Sequence, residues 1–122
     1  MKAITLTWHR FPSMTSARGA FSTTSCVYAQ ADPKGHVVRV GKASKGLTPR
    51  YRGGTGWALD AAMHGSGNLV FVAAVDEDIV EAVEATLIWE HRDQLVYNNV
   101  GKKTEPEVLV EVEHRGEVPR FE

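Results

Sequence analysis

At 122 residues the chain has room for one domain, which would bury roughly two-thirds of its unfolded surface, and not for two. With 24% charged residues, 43% hydrophobic residues and a net charge of -1, it excludes a uniformly basic nucleic-acid binder, and no apolar run approaches the ~18 residues of a membrane helix. A single cysteine, Cys26, rules out an internal disulfide and a multi-cysteine zinc site; together with the lack of a visible secretory leader, it predicts a cytoplasmic setting and no membrane association.

Taken in chain order, Ala3 to Trp8 predicts a first strand, and the Ser-, Thr-, Arg- and Gly-rich stretch to Thr24 predicts a loop. Ser25 to Ala43 predicts a β-hairpin around Asp32-Pro33-Lys34-Gly35, with Pro at the second turn position and Gly at the last. Leu47 to Arg52 predicts a short helix with Pro49 in its first turn, interrupted by Gly53, Gly54 and Gly56; Trp57 to His64 predicts another, ended by Gly65 and Gly67. Leu69 to Val75 is a continuous apolar run and predicts the central strand of a sheet covered by helices. Asp76 is expected to cap a helix reaching about Arg92, and Glu107 to His114 alternates like a half-exposed strand.

Two features carry chemistry. If Ala31 pairs with His36 across the turn, Tyr28 falls directly opposite Arg39, and a phenol and a guanidinium share one face with Cys26 and Gly41. On the helix after Asp76, Val80, Val83 and Leu87 form the apolar stripe, and Glu84 sits roughly 40° from Val80, inside its flank. An edge-of-stripe carboxylate with its head in water, an arginine partner and a metal ligand are the three readings of such a residue. His91 lies near the same stripe and reads as a partly buried core residue. Charge is divided along the chain: no acid occurs between Asp32 and Asp60, where Lys34, Arg39, Lys42, Lys45, Arg50 and Arg52 fall, while residues 104–122 carry six glutamates against two arginines.

CVY, then RVGKA after a short turn, then Arg50, EATLIWEHRDQLVYN with Glu84, and Asn98 together resemble the GIY-YIG nuclease superfamily, and within it the nuclease domains of UvrC-type repair proteins. The resemblance spans about residues 25–102, leaving 1–24 as an N-terminal extension and 103–122 as an acidic strand and tail of a single domain. It implies an α/β (α+β) fold: a small mixed β-sheet with a hairpin and a buried central strand, flanked by helices, to which this chain adds terminal strands. It also implies a divalent-metal-dependent endonuclease acting on DNA or RNA with Mg²⁺ or Mn²⁺ held by Glu84. Tyr28 would help activate water, Arg50 would steady the phosphate, and Lys42 matches the motif lysine. Lys45, Arg52, His64 and Asn98 or Asn99 are candidate substrate contacts, and a protein partner or a homodimer would supply targeting. Two departures stand out: Cys26 replaces the first-motif glycine, and Arg39 replaces the second-motif tyrosine. Arg39 as an extra phosphate clamp keeps a nuclease; a group lost with that tyrosine leaves a silent nucleic-acid-binding or protein-interaction module on the same fold.

Overall fold

The computed structural model describes residues 2–47, 69–96, 98 and 102–121. In chain order these form β1 (Lys2–Phe11), α1 (Met14–Ala20), β2 (Cys26–Ala31), β3 (Val37–Ala43), β4 (Leu69–Ala74), α2 (Val80–Glu90) and β5 (Val110–Gly116). The strands make one mixed five-stranded sheet in the order β3-β2-β4-β1-β5. All neighbours are antiparallel except β1 and β5, which run parallel. The apolar run of β4 therefore lies at the centre, as its lack of alternation predicts. The acidic last strand takes one sheet edge. Among the described residues no helix is long and apolar enough to cross a membrane.

Strand periodicity divides the core into two layers. Val27 and Ala29 of β2, Val40 of β3, Phe71 and Ala73 of β4, and Leu6 and Trp8 of β1 point to one face and pack with Val80, Val83, Leu87 and Ile88 of α2. Cys26 and Tyr28 of β2, with Val70 and Val72 of β4, point to the other face and pack with Met14 and Ala17 of α1 and with Leu47. α2 and α1 thus cover opposite faces of the sheet.

Several local expectations shift. The stretch read as a loop holds α1, started by Ser13, whose Oγ accepts from the Ser16 amide at 3.2 Å. Asp76 does not cap α2: it opens a preceding turn, its carbonyl accepting from the Ile79 amide at 3.1 Å, and the helix begins at Val80 with no side-chain cap. The last strand starts three residues later than Glu107, and Val108 is left exposed. The expected helices over Leu47–Arg52 and Trp57–His64 fall almost wholly outside the described residues.

The hairpin register moves by two residues. Gly35 donates to the Asp32 carbonyl at 2.9 Å, as expected of its turn, but Gly35 itself takes φ +86°, which only glycine adopts cheaply. It therefore adds a residue to the loop, and the Asp32 amide, not Ala31, bonds the His36 carbonyl at 3.0 Å. Further along, Ala31 faces Val37 while Gln30 faces Arg39, so Val38 is the extra residue of a β-bulge. Each one-residue slip flips every side chain to the other face; two slips restore the faces. Burial pushes the Asp32 carboxyl up, but the His36 and Lys34 amides and the His36 imidazole outweigh burial and hold it below its usual range.

A C-terminal strap closes the α2 face. The Val37 amide donates to the Arg120 carbonyl at 3.0 Å and the Arg120 amide to Gly35 at 2.8 Å. Next to this bridge the Phe121 ring stacks on His91 at 4.4 Å, lies 5.1 Å from His114 and 6.0 Å from Trp8, and Trp8 Nε1 donates to His114 Nδ1 at 2.9 Å. His91 is half-buried, as its place on the helix predicts. Burial lowers the pKa of both imidazoles, and for His91 the neighbouring His114 adds to this. A histidine that charges more readily when unfolded stabilises the fold fully only above its ordinary value of 6.5 and loses that support as pH falls through it. Thermal midpoints measured from about pH 8 down to about pH 5 are therefore expected to fall below about pH 6.5, with a shallower fall in His114→Asn.

Candidate functional site

A cluster of three polar side chains, Tyr28, Gln30 and Arg39, stands on the α1 face of the hairpin. Tyr28 pairs with Gly41 on β3 and with Val72 on β4, and its ring lies across the glycine. A Cβ built on Gly41 would come within 2.2 Å of the phenol oxygen, so this register position accepts only glycine while Tyr28 keeps its place. Arg39 stands on the same face, directly opposite Gln30 and diagonal to Tyr28. Its Nη1 donates to the Tyr28 oxygen at 2.8 Å and to Gln30 Oε1 at 3.4 Å. The guanidinium and phenol therefore meet as expected, though across a diagonal and not by direct opposition. Tyr28 and Gln30 are fully buried, while Arg39 is half-buried. Gln30 was not among the expected site residues; its signal was its place two residues after Tyr28, on the same strand face. Cys26 is buried, and burial pushes its thiol up to about 12, so it brings no reactive thiolate.

Lys42 pairs with Val27 and so stands on the other face, the one covered by α2, which carries a half-buried Glu84. Tyr28 and Arg39 thus occupy one side of the sheet, and Lys42 and the Glu84-bearing helix the other. Lys45 follows β3 and pairs with Glu77 at 2.9 Å, with both side chains mostly in solvent, a contact worth little in stability. Asn98 is a clamp on the backbone: its Oδ1 accepts from the Val40 amide and its Nδ2 donates to the Val40 carbonyl, both at 2.9 Å. A side-chain amide here plays the part of a neighbouring strand, and Asn98, 7% exposed, positions β3. Arg50, Arg52, His64 and Asn99 lie outside the described residues.

Among the described residues no cluster of three or more His, Cys, Asp or Glu could cage a metal. A hard cation that keeps its waters and takes oxygens from a phosphate asks for only one or two carboxylates, and a half-buried glutamate such as Glu84 fits that demand.

Compared with protein-family models, with curated proteins and with solved structures, the chain matches none.

Two substitutions check this geometry. Gly41→Ala is expected to displace the phenol and lower the unfolding free energy by about 1–3 kcal/mol in urea denaturation. Asn98→Ala strips the buried Val40 amide and carbonyl of their partner and is expected to cost about 1–3 kcal/mol by the same measurement.

Proposed function

We propose that the chain is a divalent-metal-dependent endonuclease that hydrolyses phosphodiester bonds of DNA or RNA by GIY-YIG-type chemistry. One observation carries the reading: Arg39 Nη1 lies 2.8 Å from the Tyr28 oxygen, over a glycine that nothing else could replace. A half-buried guanidinium held by a phenol and an amide would offer fixed donors to nonbridging phosphate oxygens. In this role Arg39 takes the position of the second-motif tyrosine as a permanent cation, so it clamps phosphate instead of ordering water. Tyr28 is the group that would accept a proton from, or orient, the attacking water, and Arg50, outside the described residues, would add a second positive charge on the phosphate. Glu84 would hold Mg²⁺ or Mn²⁺, which when bound supplies charge stabilisation for the leaving oxygen.

A second reading is favoured by two observations: the phenol is fully buried, and α2 packs against the face opposite the one that carries Tyr28 and Arg39. In that reading the same residues bind a nucleic-acid backbone without cutting it.

Labelled DNA and RNA incubated with Mg²⁺ or Mn²⁺ separate the two. The nuclease reading expects metal-dependent product, with rate losses of about 10²-fold or more for both Glu84→Gln and Tyr28→Phe. Equal cleavage by wild type and Glu84→Gln would overturn it. Salt-dependent binding with no product from the wild type would establish the silent reading instead.

A further inference from the structure

We propose that a cavity at the tip of the hairpin, on the α2 side of the sheet and away from Tyr28, is a second phosphate-binding site, for the backbone of the nucleic acid on which the proposed function rests. The cavity has a volume of about 240 Å³ and is bounded by Arg10 at the end of β1, Lys34 and Gly35 of the hairpin turn, and Val118 and Arg120 of the C-terminal strap. Phe71 and Leu69 contribute its apolar floor.

Three cationic residues from three separate parts of the chain thus line one small opening. Each is held there by the fold. The Arg10 amide donates to Glu117 Oε1 at 3.1 Å, and the Glu117 amide donates to the Trp8 carbonyl at 3.0 Å, which fixes the strap beside β1. Arg120 is bonded through its backbone to Gly35 and Val37, and its carbonyl also accepts from Gln94 Nε2 at 2.6 Å. Lys34 is placed by the turn, whose Asp32 carboxylate is committed to the Lys34 and His36 amides and to the His36 imidazole.

Among the described residues, none of the three cationic side chains has a carboxylate within ion-pairing distance. Glu117 also lines the cavity, so the opening keeps an excess of two positive charges. Like charges brought together by a rigid scaffold repel, and a bound phosphate reverses the sign of that interaction. The opening is too small for a large cofactor but suits a phosphate group with an apolar edge of sugar or base against Phe71.

The test uses the whole chain and the triple variant Arg10→Gln/Lys34→Gln/Arg120→Gln, with Lys103→Gln as a charge control. A fluorescein-labelled oligonucleotide is titrated over a salt series, and inorganic phosphate is titrated with backbone amide chemical shifts as the readout. Wild type is expected to show shifts at Gly35 and Val118 with both probes. The triple variant is expected to lose those shifts and to flatten the log–log salt slope by about 2, while Lys103→Gln flattens it by at most about 1 and keeps the shifts. Absence of shifts at Gly35 and Val118 in the wild type with either probe overturns the site, as does a triple variant with wild-type slope and affinity. Both results are read without cleavage, so a chain that binds here and cuts nothing refutes the nuclease reading and leaves the site standing.

Discussion

Everything at the Tyr28 face depends on the pairing of β2 with β3, and that pairing works because two irregularities cancel. The left-handed Gly35 adds one residue to the loop and the Val38 bulge adds one to the strand. Either alone would turn Arg39 away from Tyr28 and drive a guanidinium into the apolar layer under α2, a burial that costs several kcal/mol if the charge is unpaired. Together they bring Gly41 under the phenol, set Arg39 diagonal to it, and keep Val27, Ala29 and Val40 on the side of the core. Functional sites often carry bulges because a bulge re-aims side chains without breaking the sheet. Here the re-aiming trades a direct phenol–guanidinium opposition for one in which glycine makes the room and the arginine reaches across.

What was legible in the sequence follows from how local each signal is. Period-two alternation identified β2 and its two faces correctly even with the wrong partner residues, because parity survives a two-residue shift. The unbroken apolar run of β4 revealed its central position, and the spacing of Val80, Val83 and Leu87 revealed the buried stripe of α2. Capping was less secure. Asp76 has a cap-forming side chain, but three successive acids make a turn whose Glu77 reaches Lys45, and the helix waits for Val80. α1 escaped notice because seven residues, one of them Gly19, carry too little periodicity, although Ser13 was a readable start signal. Asn98 was beyond reach for a different reason. Its role depends on a contact with Val40 far along the chain, and nothing near it in sequence distinguishes a strand-mimicking amide from a ligand-binding one.

The extensions on either side of the resembling core are structural parts of the domain and not appendages. β1 and β5 supply two of the five strands, and Trp8, His114 and Phe121 tie β1, β5 and the strap to His91 at the end of α2. The Thr86 hydroxyl adds a further link, donating to the Ala82 carbonyl at 2.8 Å and accepting from the Val110 amide at 3.0 Å. The acidic last strand therefore adds Val110 and Val112 to the apolar layer on the α2 face while Glu111 and Glu113 stay in solvent, which is why its alternating pattern reads so clearly.

The sheet itself sets the condition that a catalytic reading must satisfy. Tyr28 and Arg39 stand on one face and Lys42 and α2 on the other, so a single substrate that meets both sets has to pass around the sheet, and the nearest rim is β3, the last strand in the sheet order among the described residues. Asn98 occupies that edge at Val40, where its amide takes the backbone hydrogen bonds that an added strand would need. A partner joining by strand addition is thereby blocked at mid-strand, whereas a phosphate chain, which needs side-chain donors and no backbone ladder, is not. The clamp that makes the edge unsuitable for another sheet also holds Arg39 and Gly41 still on either side of Val40. Edge protection and the placement of the phenol–guanidinium pair are two consequences of the same two hydrogen bonds.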